Sequence, residues 1–292
     1  MMHPAFFFTS GTRALSVFST LRDYFAYDFV RNALIAGVLI SLCAGLLGVV
    51  LVLKRYSMIG DGLSHVAFGA MAVAAVLGWA PMAAALPVTV GAAILLLLAS
   101  DRGHIKGDAA IAMLSAGALS VGYLLLNLFP SANTGKFSEE TLFGSTSLLT
   151  LSSSDVCICL SLAVFVVVFF VFFYHRIFAV TFDERFAQAG GIHVSVYRTL
   201  IAAVSGVVIV LAMKLVGALL ISALIIFPAL SAMRLFRNFR AVTICSAVLS
   251  VAGSMLGLLL SILFSTPIGA TVVIIHVILF GIFSAVNAIR GK

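Results

Sequence analysis

Residues 54–65 read Lys-Arg-Tyr-Ser-Met-Ile-Gly-Asp-Gly-Leu-Ser-His. Asp61 and His65 stand four positions apart, so a helix would place the carboxylate and the imidazole on one face. That pair can ligate zinc, manganese or iron, Asp through oxygen and His through nitrogen. Ionisable groups at membrane depth are rare and usually line a pathway. The same spacing also fits an aspartate that caps a helix or sits in a solvated loop, with a histidine hydrogen-bonded inside a bundle. Spacing alone leaves both readings open.

Three further features could bear on function. Residues 182–192 carry Asp183, Glu184, Arg185 and Phe186, then Gln188 and a Gly190–Gly191 pair. They read as a short helix from Asp183 to Ala189 within the loop 176–195, stopped by glycine. Pro228 interrupts the apolar run 216–231. Proline removes one helix hydrogen bond, and in transporters such a helix break can open carbonyls to a cavity; an ordinary kink looks the same. His276 falls in the middle of the last apolar segment and reads as a packed interhelical group, whereas His104, His175 and His193 read as surface residues.

The elements that must position these groups follow from composition. Of 292 residues, 63% are hydrophobic and 9% charged, with a mean hydropathy of +1.24. A soluble domain is about 45–50% apolar and about 25% charged. The balance excludes a soluble enzyme, a disordered chain and a nucleic-acid module, and predicts an all-α polytopic membrane protein. Apolar segments cover roughly 32–53, 63–79, 82–99, 109–129, 155–175, 196–212, 215–233, 241–263 and 268–289. That gives nine crossings, or eight if one early segment is re-entrant. Residues 1–31 form an N-terminal extension in which 14–30 has amphipathic spacing, ahead of a permease domain at 32–292.

Lysines and arginines orient the bundle. If the loop 176–195 is cytoplasmic, so are Lys54, Arg55, Arg102, Lys106, Arg176, Arg185, Arg198, Arg234, Arg237, Arg240, Arg290 and Lys292. The remaining cations of the 17 are Arg13, Arg22, Arg31, Lys136 and Lys214. The bias supports this orientation, and the net charge of +7 belongs to the loops, not to a nucleic-acid surface. Cys43, Cys157, Cys159 and Cys245 make no CxxC pair or disulfide framework. The chain has no GxxxxGK[ST] phosphate loop, no HExxH and no GxSxG. It is therefore expected to hydrolyse no ATP, and active transport would draw on a partner protein or an ion gradient.

The stretch 53–65 resembles a signature of the membrane permeases of bacterial ATP-binding-cassette importers for zinc, manganese and iron. Lys106-Gly107-Asp108-Ala109-Ala110-Ile111, Leu142-Phe143-Gly144, the run from Val216 to Ala229 with Pro228, and Thr266-Pro267-Ile268-Gly269-Ala270-Thr271 resemble further family blocks, in the family's order. The resemblance implies a homodimeric pore in the bacterial cytoplasmic membrane, two cytoplasmic ATPase subunits and an extracytoplasmic metal-binding protein. It implies Asp61 and His65 as pathway ligands, with no resident cofactor. Residues 182–192 resemble the coupling helix that seats in the ATPase, which gives Asp183, Glu184, Arg185, Phe186 and Gly190 a role in coupling. Zinc is weakly favoured as the transported ion over manganese or iron. A gradient-driven transporter or channel is the alternative.

Overall fold

The structure, a computed structural model, describes residues 26–99, 107–130 and 152–291. Among them all regular structure is helical. In chain order the helices are α1 (Asp28–Leu53), α2 (Ile59–Val76), α3 (Pro81–Ala99), α4 (Gly107–Leu128), α5 (Ser153–Phe172), α6 (Tyr174–Phe182), α7 (Glu184–Ala189), α8 (Val194–Val216), α9 (Ala218–Leu235), α10 (Phe239–Phe264) and α11 (Ile268–Ile289). All but α6 and α7 are long and apolar enough to cross a membrane, which makes nine candidate spans among the described residues. Helices are forced here because an unpaired backbone group is costly in hydrocarbon. The nine candidate spans among the described residues match the nine apolar segments read from hydropathy.

The boundaries differ from the hydropathy reading where polar residues open a helix. The second span begins at Ile59 and not at 63, because Gly60, Asp61 and Gly62 lower the local hydropathy while still adopting helical geometry. The loop 176–195 is itself built of α6 and α7. The 14–30 amphipathic stretch lies largely outside the described residues, and α1 already begins at Asp28, so residues 28–31 belong to the first span. The motifs at 142–144 and at Lys106 also lie outside the described residues. The run from Val216 to Ala229 is divided by Gly217, whose φ of 89° turns α8 directly into α9. Pro228 does not break α9, which runs on to Leu235. One missing donor is local, and the Ser231 hydroxyl donates to the Phe227 carbonyl at 2.7 Å in the same stretch.

Helices α1, α2 and α8 form the interior, while α4 and α11 lie outermost with few of their residues buried. Lipid supplies no hydrophobic drive between helices, so close packing and interhelical hydrogen bonds must hold them. Small residues allow this. The Ser246 hydroxyl donates to the Gly45 carbonyl at 2.8 Å, and that of Ser250 donates to the Ser41 carbonyl at 2.7 Å, joining α10 to α1. His276, 1% exposed, packs against Gly253 in the α10–α11 seam, with Nδ1 2.9 Å from the Val272 carbonyl. No disulfide joins the four cysteines.

Gly48 marks the tightest seam between α1 and α9. A methyl added there would sit 2.2 Å from the Ile225 carbonyl oxygen, which is backbone and cannot rotate away. Gly48→Ala is therefore expected to lower stability by about 2–3 kcal/mol through overpacking. Gly91→Ala on α3, whose methyl meets open space, should leave it unchanged or slightly raised. Thermal unfolding of the two variants in detergent checks the contrast.

Candidate functional site

The site is built at the first turns of α2. The chain leaves α1 at Lys54 and passes Arg55, which has a left-handed φ of 62°. The Tyr56 N–H returns to the Leu51 carbonyl at 2.9 Å, and the Ile59 N–H bonds the Tyr56 carbonyl at 3.1 Å. Gly60 and Gly62 then let two neighbours come close. A Cβ on Gly60 would lie 3.2 Å from Ser222 Cα of α9, and one on Gly62 would lie 2.4 Å from Ile111 Cγ2 of α4. Of residues 59–66, Asp61 and His65 alone are not buried.

Asp61 Oδ1 and His65 Nε2 are 3.5 Å apart, with side chains 36% and 17% exposed. The helix spacing predicted from sequence brings them together. The neighbouring Ser64 hydroxyl is occupied, donating to the Gly60 carbonyl at 2.7 Å. His65 Nδ1 is buried and has no hydrogen-bond partner among the described residues. The described residues hold no group of three or more His, Cys, Asp and Glu side chains that could bind a metal. One chain thus offers a carboxylate oxygen and an imidazole nitrogen, two ligands and not four.

This pair lies near one end of the bundle. Asp61 is the third residue of α2, about 3–5 Å along its axis from the first. The same end carries α7, because Glu184 bridges two cations from elsewhere in the chain. Lys54 Nζ pairs with its Oε1, and Arg198 Nη2 with its Oε2. The Arg198 Nη1 also donates to the Leu97 carbonyl at the end of α3, at 3.4 Å. Following the alternating helices, Arg55, Arg176, Arg185, Arg234, Arg237, Arg240 and Arg290 share this end, which identifies it as cytoplasmic.

Helix α7 is capped by Asp183, whose Oδ1 accepts from the Phe186 N–H at 2.9 Å. Arg185 is exposed, and Phe186 is 75% exposed. An apolar ring so open at the polar end of a bundle suits contact with a partner. Glu184 points the other way, into the protein. The helix stops at the Gly190–Gly191 pair as read from sequence, with Gly190 as its C-cap; Gly190 has an ordinary negative φ of −78°, and an added methyl would meet nothing closer than 3.5 Å. Gly191, at φ 80°, carries the left-handed turn instead. Sequence reading also missed Lys54 and Arg198 as site residues and counted them only as topogenic charges. Their shared partner lies 130 and 14 positions away.

The described residues thus form an apolar helical bundle with a carboxylate–imidazole pair on a packed helix and a short capped helix near the same end. The chain belongs to the ABC 3 transport family, whose model matches residues 26–287. It is the membrane permease subunit of an ATP-binding-cassette metal importer in the bacterial inner membrane. It is not an enzyme; a separate partner hydrolyses ATP. The family also implies a substrate-binding partner. The chain is 28% identical to the manganese import system permease protein ScaB of Streptococcus gordonii, over 87% of this chain and 90% of that one. It is 27% identical to the manganese transport system membrane protein MntC of Halalkalibacterium halodurans, over 88% and 87%. The solved structure of PsaBC from Streptococcus pneumoniae in complex with Fab matches with a TM-score of 0.79 and 26% identity, covering 91% of this chain and 95% of that one.

Left-handed backbone costs a residue with a Cβ about 1–2 kcal/mol. Gly191→Ala is expected to loosen the α7–α8 turn and reduce retention of the ATPase on the purified permease severalfold. Gly190→Ala should retain it as the wild type does. Copurification of the two proteins measures the difference.

Proposed function

We propose that this permease carries manganese into the cytoplasm and that Asp61 and His65 are its transient ligands. The observation that carries the reading is the Asp61–His65 pair, half open on an otherwise packed helix. One hard carboxylate oxygen and one imidazole nitrogen, with no thiolate beside them, form a donor set that manganese accepts. The relatives named above are manganese permeases, which supports manganese over the zinc favoured from sequence; the donor set itself would also take zinc or iron. Nothing in the comparisons supports a gradient-driven transporter.

Two copies of the chain would bring two such pairs to a shared axis and supply four ligands. An extracytoplasmic protein would capture the ion, and the ATPase would dock on α7 through Phe186, Arg185 and the turn at Gly191. Asp183 serves this surface by capping the helix. Pro228 has no ligand role in this scheme, since α9 continues through it.

The test is uptake by proteoliposomes containing the permease, its ATPase and its binding protein, with manganese, zinc and iron offered separately and in competition. ATP-dependent manganese uptake, inhibited weakly by the others, is the expected result. Uptake confined to zinc or iron would replace the metal in this reading. Asp61→Ala and His65→Ala should each lower uptake at least about a hundredfold, as loss of a metal ligand does, with the folded, inserted yield unchanged. Wild-type uptake in both variants would remove the pair from the pathway.

A further inference from the structure

We infer that the Lys54–Glu184–Arg198 bridge is the strut that carries movement of α7 to the metal pair, so that Lys54 and Arg198 are positioning residues for transport. The inference rests on the reading of α7 as the docking helix and of Asp61–His65 as the pathway ligands.

Helix α7 is weakly attached by packing alone. It has six residues, of which Ala187 is the buried one. Ala187 sits in a small core with Val180, Val194 and Tyr197, which meets the main core, where Tyr56, Ile59 and Leu63 of the α1–α2 corner lie, through half-buried Phe173. Glu184 adds a direct polar link to the α1–α2 corner. It is the first residue of α7, and its two carboxylate oxygens take one cation each.

Both cations are nearly out of water. The Lys54 and Arg198 side chains are 8% and 10% exposed, against 33% for Glu184. Burial pulls the Lys54 ammonium below its ordinary range, and the hydrogen bond it donates to Glu184 opposes that shift. With the carboxylate gone, the two cations would lose the counter-charge they share, which favours both side chains following Glu184 when it moves.

The path onward is short and stiff. Arg198 fixes the same carboxylate to α8 and to the Leu97 carbonyl of α3. Lys54 is the C-cap of α1, and between it and α2 the backbone is held by the hydrogen bonds of Tyr56 and Ile59 and by the left-handed Arg55. Asp61 follows two residues into α2. A shift of α7 against α8 therefore reaches the first turn of α2 with little slack to absorb it, and Asp61 and His65 move with that turn.

The experiment compares manganese taken up per ATP hydrolysed in proteoliposomes of the full complex. The variants are Glu184→Gln, Lys54→Met and the two combined. A strut predicts that each single variant keeps the ATPase bound and hydrolysing while uptake per ATP falls at least tenfold. It also predicts that the double variant is no worse than the poorer single, because both changes remove one interaction. An unchanged ratio, or additive losses, would overturn the inference. So would loss of the ATPase from Glu184→Gln, which would make the carboxylate an anchor. Where Glu184→Gln fails to fold, Lys54→Met decides alone by the same ratio. Phe186→Ala and Asp61→Ala are run beside them. If the first retains full ATPase and the second full uptake, the underlying reading of docking and pathway has failed. If both lose function as expected while the Glu184 and Lys54 variants stay coupled, only the strut has failed.

Discussion

The position of α2 depends on how closely backbones can approach. In lipid, apolar side chains gain nothing by meeting one another, so helices are held by contact and by hydrogen bonds. Gly48 lets α1 meet the Ile225 carbonyl of α9, Gly60 admits Ser222, and Gly62 admits Ile111. With α9 and α4 this near, the first turns of α2 have one partly open face, and Asp61 and His65 occupy it. The Gly-Asp-Gly sequence is thus as much a packing device as a chemical one.

The second constraint is electrostatic. Charged residues are 9% of the chain, and those described cluster at the cytoplasmic end. There Glu184 serves two cations at once. Removing water strengthens the attraction between ions, and it equally raises the penalty for leaving one unpaired. Loss of one partner of a buried pair costs about 3–5 kcal/mol, and the one-third exposure of Glu184 places this cluster toward the lower figure. Packing of α7 alone, through Ala187, gives no comparable hold. The cluster also explains why a helix whose outer face carries exposed Phe186 can keep a fixed orientation on the bundle.

The spans, the shared face of Asp61 and His65 and the short helix before Gly190 were all legible in the sequence, because each is a local pattern of hydropathy or spacing. What escaped had a different physical origin. The true start of α2 was hidden because its opening residues are polar or glycine, which hydropathy scores as loop. Gly217 read as one more small residue in an apolar run, since a positive φ leaves no compositional mark. Gly190 and Gly191 are indistinguishable as letters, and only backbone geometry assigns the left-handed turn to the second. Lys54 and Arg198 looked like boundary charges. Their common partner is a long-range contact, and no local pattern carries it.

The chemistry of the pair favours passage over storage. Asp61 and His65 lie 3.5 Å apart, so an arriving ion would have to replace their mutual interaction. The imidazole can ligate only when neutral, and any proton on Nε2 must leave first. Metal-bound histidines are usually strengthened by an acceptor on the other ring nitrogen. His65 Nδ1 is buried with no such partner among the described residues, so packing and not an acceptor orients the imidazole. Each factor lowers affinity relative to a closed four-ligand site, which would hold the ion. Conduction requires binding strong enough to admit an ion and weak enough to release it. A carboxylate and an imidazole that pair with each other near one end of the bundle would, as the proposed ligands, meet that requirement.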